Sequence, residues 1–598
     1  MRGWFVLGAM VGVIWGSARA VWASEEPEDA RLEALFRDYL EETFRHRPMM
    51  ATRLGDHRFD DRLDDVSPEA RRADLERRRR LLEELPKRVN LERLSPDGQV
   101  DYEILRRELE RSIWLDETFD TYREDPRVWN EYLTESVYLL LTQSTRPQSE
   151  NRANAVKRMA EIPRVAAQAR ATIAAPHRVH TETAIGQTQG AIAFYEDLIY
   201  DLAGVPKGDP EVAQAAAPVV EALRSHLAFL KETALPASRD DAWRIGRAAF
   251  ARKLELELDA GLSADEVLAE AEAEADRVLA EMATVARLLW GTYYPDEPIP
   301  PDDEAGRRTL IGRVLARIGD ERSTPEGVVD DVRAQVDQIK AFIRDRRILR
   351  LPEPDRCTIL EMPEFMRGNS TAYLNAAAPL DPDGRSEYAV SPPPAHWTPE
   401  QIESYFREYN LRMLKILTIH EAYPGHYVQL EYANRVPRLI RRVVQSGPYV
   451  EGWAVYTEQM MLDQGFGDGD PALRLQQLKF YLRAVLNAIL DHRMHCEELS
   501  DAEAMRLLVE RGFQTEGEAL GKVIRAKQSS VQLSTYFVGR VAHYRLRQAI
   551  QRELGERFDL AAYHEAVLNQ GSVPVRHLPG LVRRALGLTE GGAAAPAR

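Results

Sequence analysis

The sequence predicts a mainly α protein that carries one small β-sheet, and three observations lead there. From about residue 30 to 345, apolar residues recur at three- and four-residue steps with polar faces opposite, which is the period of amphipathic helices. Capping signals open further helices at Thr398-Pro399-Glu400-Gln401, at Asp470-Pro471 and at Ser500 with Glu503. Only the stretch from about Cys357 to Pro394 departs from the helical period, with short runs punctuated by Pro379, Pro382 and Gly384. A chain of 598 residues exceeds a single core of ordinary size, so two subdomains are expected, over 24–345 and 346–598.

Taken in order, the chain opens with a positive Met1-Arg2 and an apolar run from Trp4 to Trp15, followed by small-residue sites at Ala18-Arg19-Ala20 and Val21-Trp22-Ala23. This pattern predicts a cleaved signal peptide over 1–23 and export of the mature protein, most simply to a bacterial periplasm. No cysteine lies near the cleavage region, which disfavours a lipid anchor, and no later apolar run is long enough to span a bilayer. Helices are expected over Pro68 to Leu85, Gly98 to Trp114, Arg152 to Thr172 with a kink at Pro163, and Ser263 to Trp290. The basic run Arg77 to Arg80, flanked by Glu76, Glu83 and Glu84, reads as a solvated helix face, as does the Ala-Glu alternation from Ala269 to Ala275. Thr358 to Met362, Thr371 to Asn375 and Ser386 to Val390 read as strands. The net charge of −16, with 79 basic against 95 acidic residues and no dense basic block, excludes a nucleic-acid surface. Cys357 and Cys496 are the only cysteines; they form one disulfide or stay as free thiols, and they are too few for a structural zinc site.

The chemistry concentrates in His420-Glu421-Ala422-Tyr423-Pro424-Gly425-His426, with Glu451-Gly452-Trp453-Ala454 starting 25 residues after His426. Two imidazoles and a carboxylate are the donors a catalytic zinc takes while keeping one position open. The histidines are six apart rather than the four of H-E-x-x-H. On an unbroken helix that spacing points them about 120° apart, at about 100° per residue. Pro424-Gly425 therefore predicts a bulge or break that swings His426 back to the metal. The helix carrying His420 is expected to run from the Thr398 cap through Ile402, Phe406, Tyr409, Met413 and Ile416 on one apolar stripe. A second helix is expected from Pro448 to Gln464, with Glu451 as ligand and Glu458, seven residues on, behind it. Gly452 inside that helix predicts a close approach of other backbone beside Glu451.

These motifs resemble the bacterial domain-of-unknown-function family 885 over nearly the whole mature chain. Further matches are Arg483-Ala484 ahead of Asp491-His492-Arg493-Met494-His495, then Gln532 to Gly539, and the closing Leu568-Asn569-Gln570-Gly571-Ser572-Val573-Pro574. The resemblance implies a large helical zincin-like fold with a small sheet beside the metal-binding helix, similar in style to carboxypeptidase Taq and the thimet-oligopeptidase group. Tyr427 stands where family members often carry a second histidine, and Asp491-His492-Arg493 replaces the usual Asp-Thr-Gly.

The expected function is zinc-dependent cleavage of short peptides. His420, His426 and Glu451 would hold one Zn²⁺ per chain, and Glu421 would take the attacking water's proton and pass it to the leaving amine. Tyr536 or His495 would stabilise the oxyanion, and Arg483 could clamp a substrate carboxylate. The alternatives are a zinc hydrolase of non-peptide amides or esters, and a metal-free helical binding protein of the cell envelope.

Overall fold

The computed structural model describes residues 27–362, 372–394 and 396–588, so the expected signal peptide and Thr371 lie outside the described residues. The fold is mainly α, as its periodicity requires. The expected N-terminal helices form at Pro68–Arg88, Pro96–Thr118 and Gln148–Thr172, and the last of these runs on through Pro163. The first opens on Ser67, whose hydroxyl accepts the Ala70 N–H, and Pro68 fits a turn where its missing donor is not needed. On that helix the basic run is only partly a solvated face. Arg78 is buried and paired with Asp74 and Asp116, while Arg79 reaches Glu76 and Glu117.

Helix α1 (Ala264–Tyr293) starts in a capping box between Ser263 and Glu266. The sheet follows, with β1 (Cys357–Glu361), β2 (Ala372–Asn375) and β3 (Ser386–Val390) in the order β1-β3-β2. β1 lies parallel and β2 antiparallel to β3, so β2 is an edge strand. Next come α2 (Pro399–Glu408) and α3 (Leu411–Glu421), where the sequence pattern suggested one helix. The chain breaks because Asn410 caps a new helix: its side-chain oxygen accepts the Arg412 and Met413 N–H groups while its amide donates to the Arg407 carbonyl. The site is completed by α4 (His426–Asn434), α5 (Gly447–Asp463), α6 (Pro471–Cys496), α7 (Glu516–Gln528) and α8 (Thr535–Leu554).

Two packing contacts set the frame. α5 crosses α8 backbone to backbone at Gly452 and Gly539, where a Cβ on Gly452 would come 2.2 Å from the Gly539 carbonyl carbon. The close approach expected beside Glu451 is therefore made by α8, which carries Tyr536. α1 shares a core with α6, and its alternation is exposed only in part: Ala269 and Ala273 face solvent, but Ala271 and Ala275 are fully buried. Ala271 and Ala275, one turn apart, are the inner side, and the half-buried glutamates beside them take ion pairs, Glu272 with Arg493 and Arg511, and Glu274 with Arg277. Two large cores each draw residues from both sides of position 345, while a third lies within residues 49–234. Cys357 and Cys496 are both free thiols. Among the described residues no helix is long and apolar enough to cross a membrane.

Candidate metal centre

α3 ends at Glu421 and α4 begins at His426, so the two histidines stand on either side of a true break. The connection holds a cis Tyr423–Pro424 peptide, and the Gly425 N–H donates to the Ile419 carbonyl at 3.0 Å. Gly425 is needed for space: a Cβ there would sit 1.9 Å from the His420 carbonyl oxygen and 2.3 Å from that of Ile419. The Trp453 indole N–H, from α5, fixes the break by donating to the Pro424 carbonyl at 2.9 Å. Tyr427 turns away into the core, where its hydroxyl accepts the Arg356 N–H.

The break brings His420, His426 and Glu451 together, with one donor atom from each lying within 4.8 Å of the others. Glu451 Oε2 is 3.4 Å from His426 Nε2 and 3.7 Å from His420 Nε2. Two donors held about 2.0–2.1 Å from a tetrahedral zinc sit about 3.4 Å apart, so this spacing fits such an ion. Glu451 Oε2 is buried and faces both Nε2 atoms, so its charge is met inside the cluster and not by solvent. Behind His420, the fully buried Glu458 lies 2.7 Å from Nδ1 and fixes the tautomer that presents Nε2.

The clustered groups shift one another's protonation. Burial opposes protonation of His420, but hydrogen bonds to Glu451 and Glu458 overcome it and lift its pKa to about 10. Burial also pushes Glu451 up, yet the two imidazoles outweigh it and hold its carboxyl far below the usual range. Glu421 is raised by burial, with His426 and His420 partly offsetting that rise, and the Leu374 N–H of β2 faces its carboxylate.

His420 and Glu421 open into a cleft of about 1030 Å³ walled by α2, α6, α7 and Tyr536. Two of the remaining expected residues stand on it. Tyr536 accepts a hydrogen bond from Arg525 at 3.1 Å, and its hydroxyl lies in the field of Glu451. Arg483 lines the cleft but is already engaged, paired with Glu518 at 3.2 Å and lying over the Phe480 ring. His495 is not brought to the site. Its Nε2 faces the Ala526 and Ser529 carbonyls, and its ring packs against Trp243 and Phe250 in the core behind the cleft. Burial pushes its pKa down to about 4, so it is a neutral packing group.

The model of a bacterial protein family of unknown function, DUF885, matches residues 48–582. The chain belongs to DUF885. A solved structure of a candidate lipoprotein of unknown function from Shewanella oneidensis is 30% identical, covering 92% of this chain and 99% of its own, with a TM-score of 0.78. A candidate lipoprotein from Colwellia psychrerythraea is 17% identical and shares the fold, with a TM-score of 0.75 over 94% of this chain and 99% of its own. No curated protein matches the chain.

The sequence reading of this DUF885 chain missed the cationic wall of the cleft. Glu518, Lys522 and Arg525 on α7 all line it. Their spacing of four and three residues, which puts them on one helix face, was the available signal.

Proposed function

We propose that this DUF885 chain is a zincin-like hydrolase that cleaves peptide bonds of short peptides. The convergence of His420, His426 and Glu451, backed by Glu458 and opening beside Glu421 into a cleft, carries the reading. Bound to those three donors, zinc would polarise the scissile carbonyl and make water nucleophilic near neutral pH. Glu421, with its affinity for protons raised, holds the proton taken from that water and returns it to the leaving nitrogen. Tyr536 keeps its proton, because burial raises its pKa and Glu451 raises it further. With Arg525 donating to its oxygen, its O–H is free to donate to the substrate oxygen as charge grows there. β2, an edge strand among the described residues whose Leu374 N–H faces Glu421, offers backbone groups for an extended peptide. The recessed cleft favours short chains over folded proteins.

The apolar leader and the lipoprotein naming of both structural neighbours support work outside the cytoplasm. A defined peptide mixture incubated with the zinc-loaded protein and read by mass spectrometry tests the activity. New fragments are expected, lost on chelation and regained with zinc. An intact mixture in the presence of the zinc-loaded protein contradicts the reading.

A further inference from the structure

Carboxylates outnumber cations on the cleft lining, with Glu408, Glu421, Glu458, Glu516 and Glu518 against Arg483, Lys522 and Arg525, but they are unevenly paired. Lys479 on α6 is paired with Glu408 at 2.6 Å, and Arg483 is paired with Glu518, which also accepts the Tyr409 hydroxyl at 2.6 Å. Glu516, at the start of α7, also lines the cleft but lies exposed to solvent. Among the described residues lining the cleft, Lys522 and Arg525 are cations that form no ion pair with any of these carboxylates. Arg525 donates only to the neutral Gln532 and Tyr536 side chains, and Lys522 forms no ion pair or side-chain hydrogen bond among the described residues. Lys522 is half-buried on the cleft face of α7, within the field of Arg483, Arg525, Glu518 and the metal ligand Glu451. A half-buried ammonium near two guanidiniums, with Glu518 and Glu451 nearby but neither in ion-pair contact, has room for an anion of its own.

We propose that Lys522, with Arg525 beside it, seats the terminal carboxylate of a peptide substrate, so that the enzyme removes residues from C-terminal ends. This rests on the hydrolase reading above. Arg525 joins the seat to the centre, since the same guanidinium that borders Lys522 holds Tyr536 toward the metal ligands. Lys522 and Glu421 line the same cleft, so one bound chain could set its terminal carboxylate at the lysine and a peptide bond beside Glu421. Burial, Arg483 and Arg525 together push the Lys522 pKa down to about 7, and an incoming carboxylate would reverse that loss of charge.

The test compares acetyl-trialanine with its C-terminal amide, first as ligands and then as substrates. Binding is measured by calorimetry on the zinc-loaded Glu421→Gln protein, alone and combined with Lys522→Met or Lys522→Arg. The acid is expected to bind at least about tenfold more tightly than the amide. Lys522→Met should bring the two within about twofold, and Lys522→Arg should restore the preference. Equal affinities without any Lys522 change, or binding of neither ligand, overturn the proposal; this comparison needs no variant at the lysine. A preference that survives Lys522→Met also overturns it, because it would place the carboxylate elsewhere, the metal included. The two readings separate in the wild-type protein. A Lys522-dependent acid preference without hydrolysis of any peptide removes the hydrolase and keeps the seat. Hydrolysis of acid and amide at equal kcat/KM removes the seat and keeps the hydrolase.

Discussion

Glu421→Gln is expected to keep the metal and lose turnover. Glutamine preserves the shape of the side chain and can still accept the Leu374 N–H, so the end of α3 should hold its place. It cannot take a proton from water or return one to the leaving nitrogen. Loss of a positioned acid–base group costs about 10²–10⁴-fold in rate, and kcat for peptide cleavage should fall within that range. Metal analysis and a melting curve on the same preparation should stay close to wild type. A variant that retains kcat within about threefold would remove Glu421 from the chemistry, and one that loses its metal would make it a ligand instead.

The second large effect is expected at Gly425. An added methyl group would overlap two backbone carbonyls, those of Ile419 and His420, rather than a side chain able to swing aside. Either α3 must unwind at its last turn or α4 must move outward, and both displace a histidine. Overpacking of this kind costs about 1–3 kcal/mol, and here the strain falls on the connection that sets the separation of the two imidazoles. Gly425→Ala should therefore lower the melting temperature, and its zinc affinity should fall by about tenfold or more. The helical circular dichroism should be kept. Wild-type zinc affinity in a well-folded Gly425→Ala protein would show that the break tolerates a side chain and that the close contact is unimportant.

Much of the candidate metal centre was legible in the sequence because its parts are close along the chain. The Pro-Gly pair between His420 and His426, Glu458 seven residues after Glu451, and Gly452 beside that ligand each constrain local backbone, and the fold uses them as expected. The strands were legible from composition and turn residues for the same reason. What escaped depended on tertiary neighbours. Asn410 can cap a helix or sit on its surface, and only packing around the Glu408–Lys479 pair shows why the helix ends there. The alternation from Ala269 to Ala275 reads as solvent-facing until α6 arrives to cover Ala271 and Ala275. His495 has the right residue type in a family-like motif, but the turn of α6 that carries it faces Trp243 rather than the cleft. Lys522 looks like any surface lysine until α7 docks across from α3.

The central claim is that three side chains from α3, α4 and α5 form a metal site, and zinc per chain tests it most directly. Zinc should be counted in the purified protein by elemental analysis, with His426→Ala prepared in the same way. About one zinc in the wild type and close to none in the folded variant is the predicted result. A folded wild type that carries no zinc and takes none up would contradict it, and His420, His426 and Glu451 would then be a packing cluster rather than a catalytic centre.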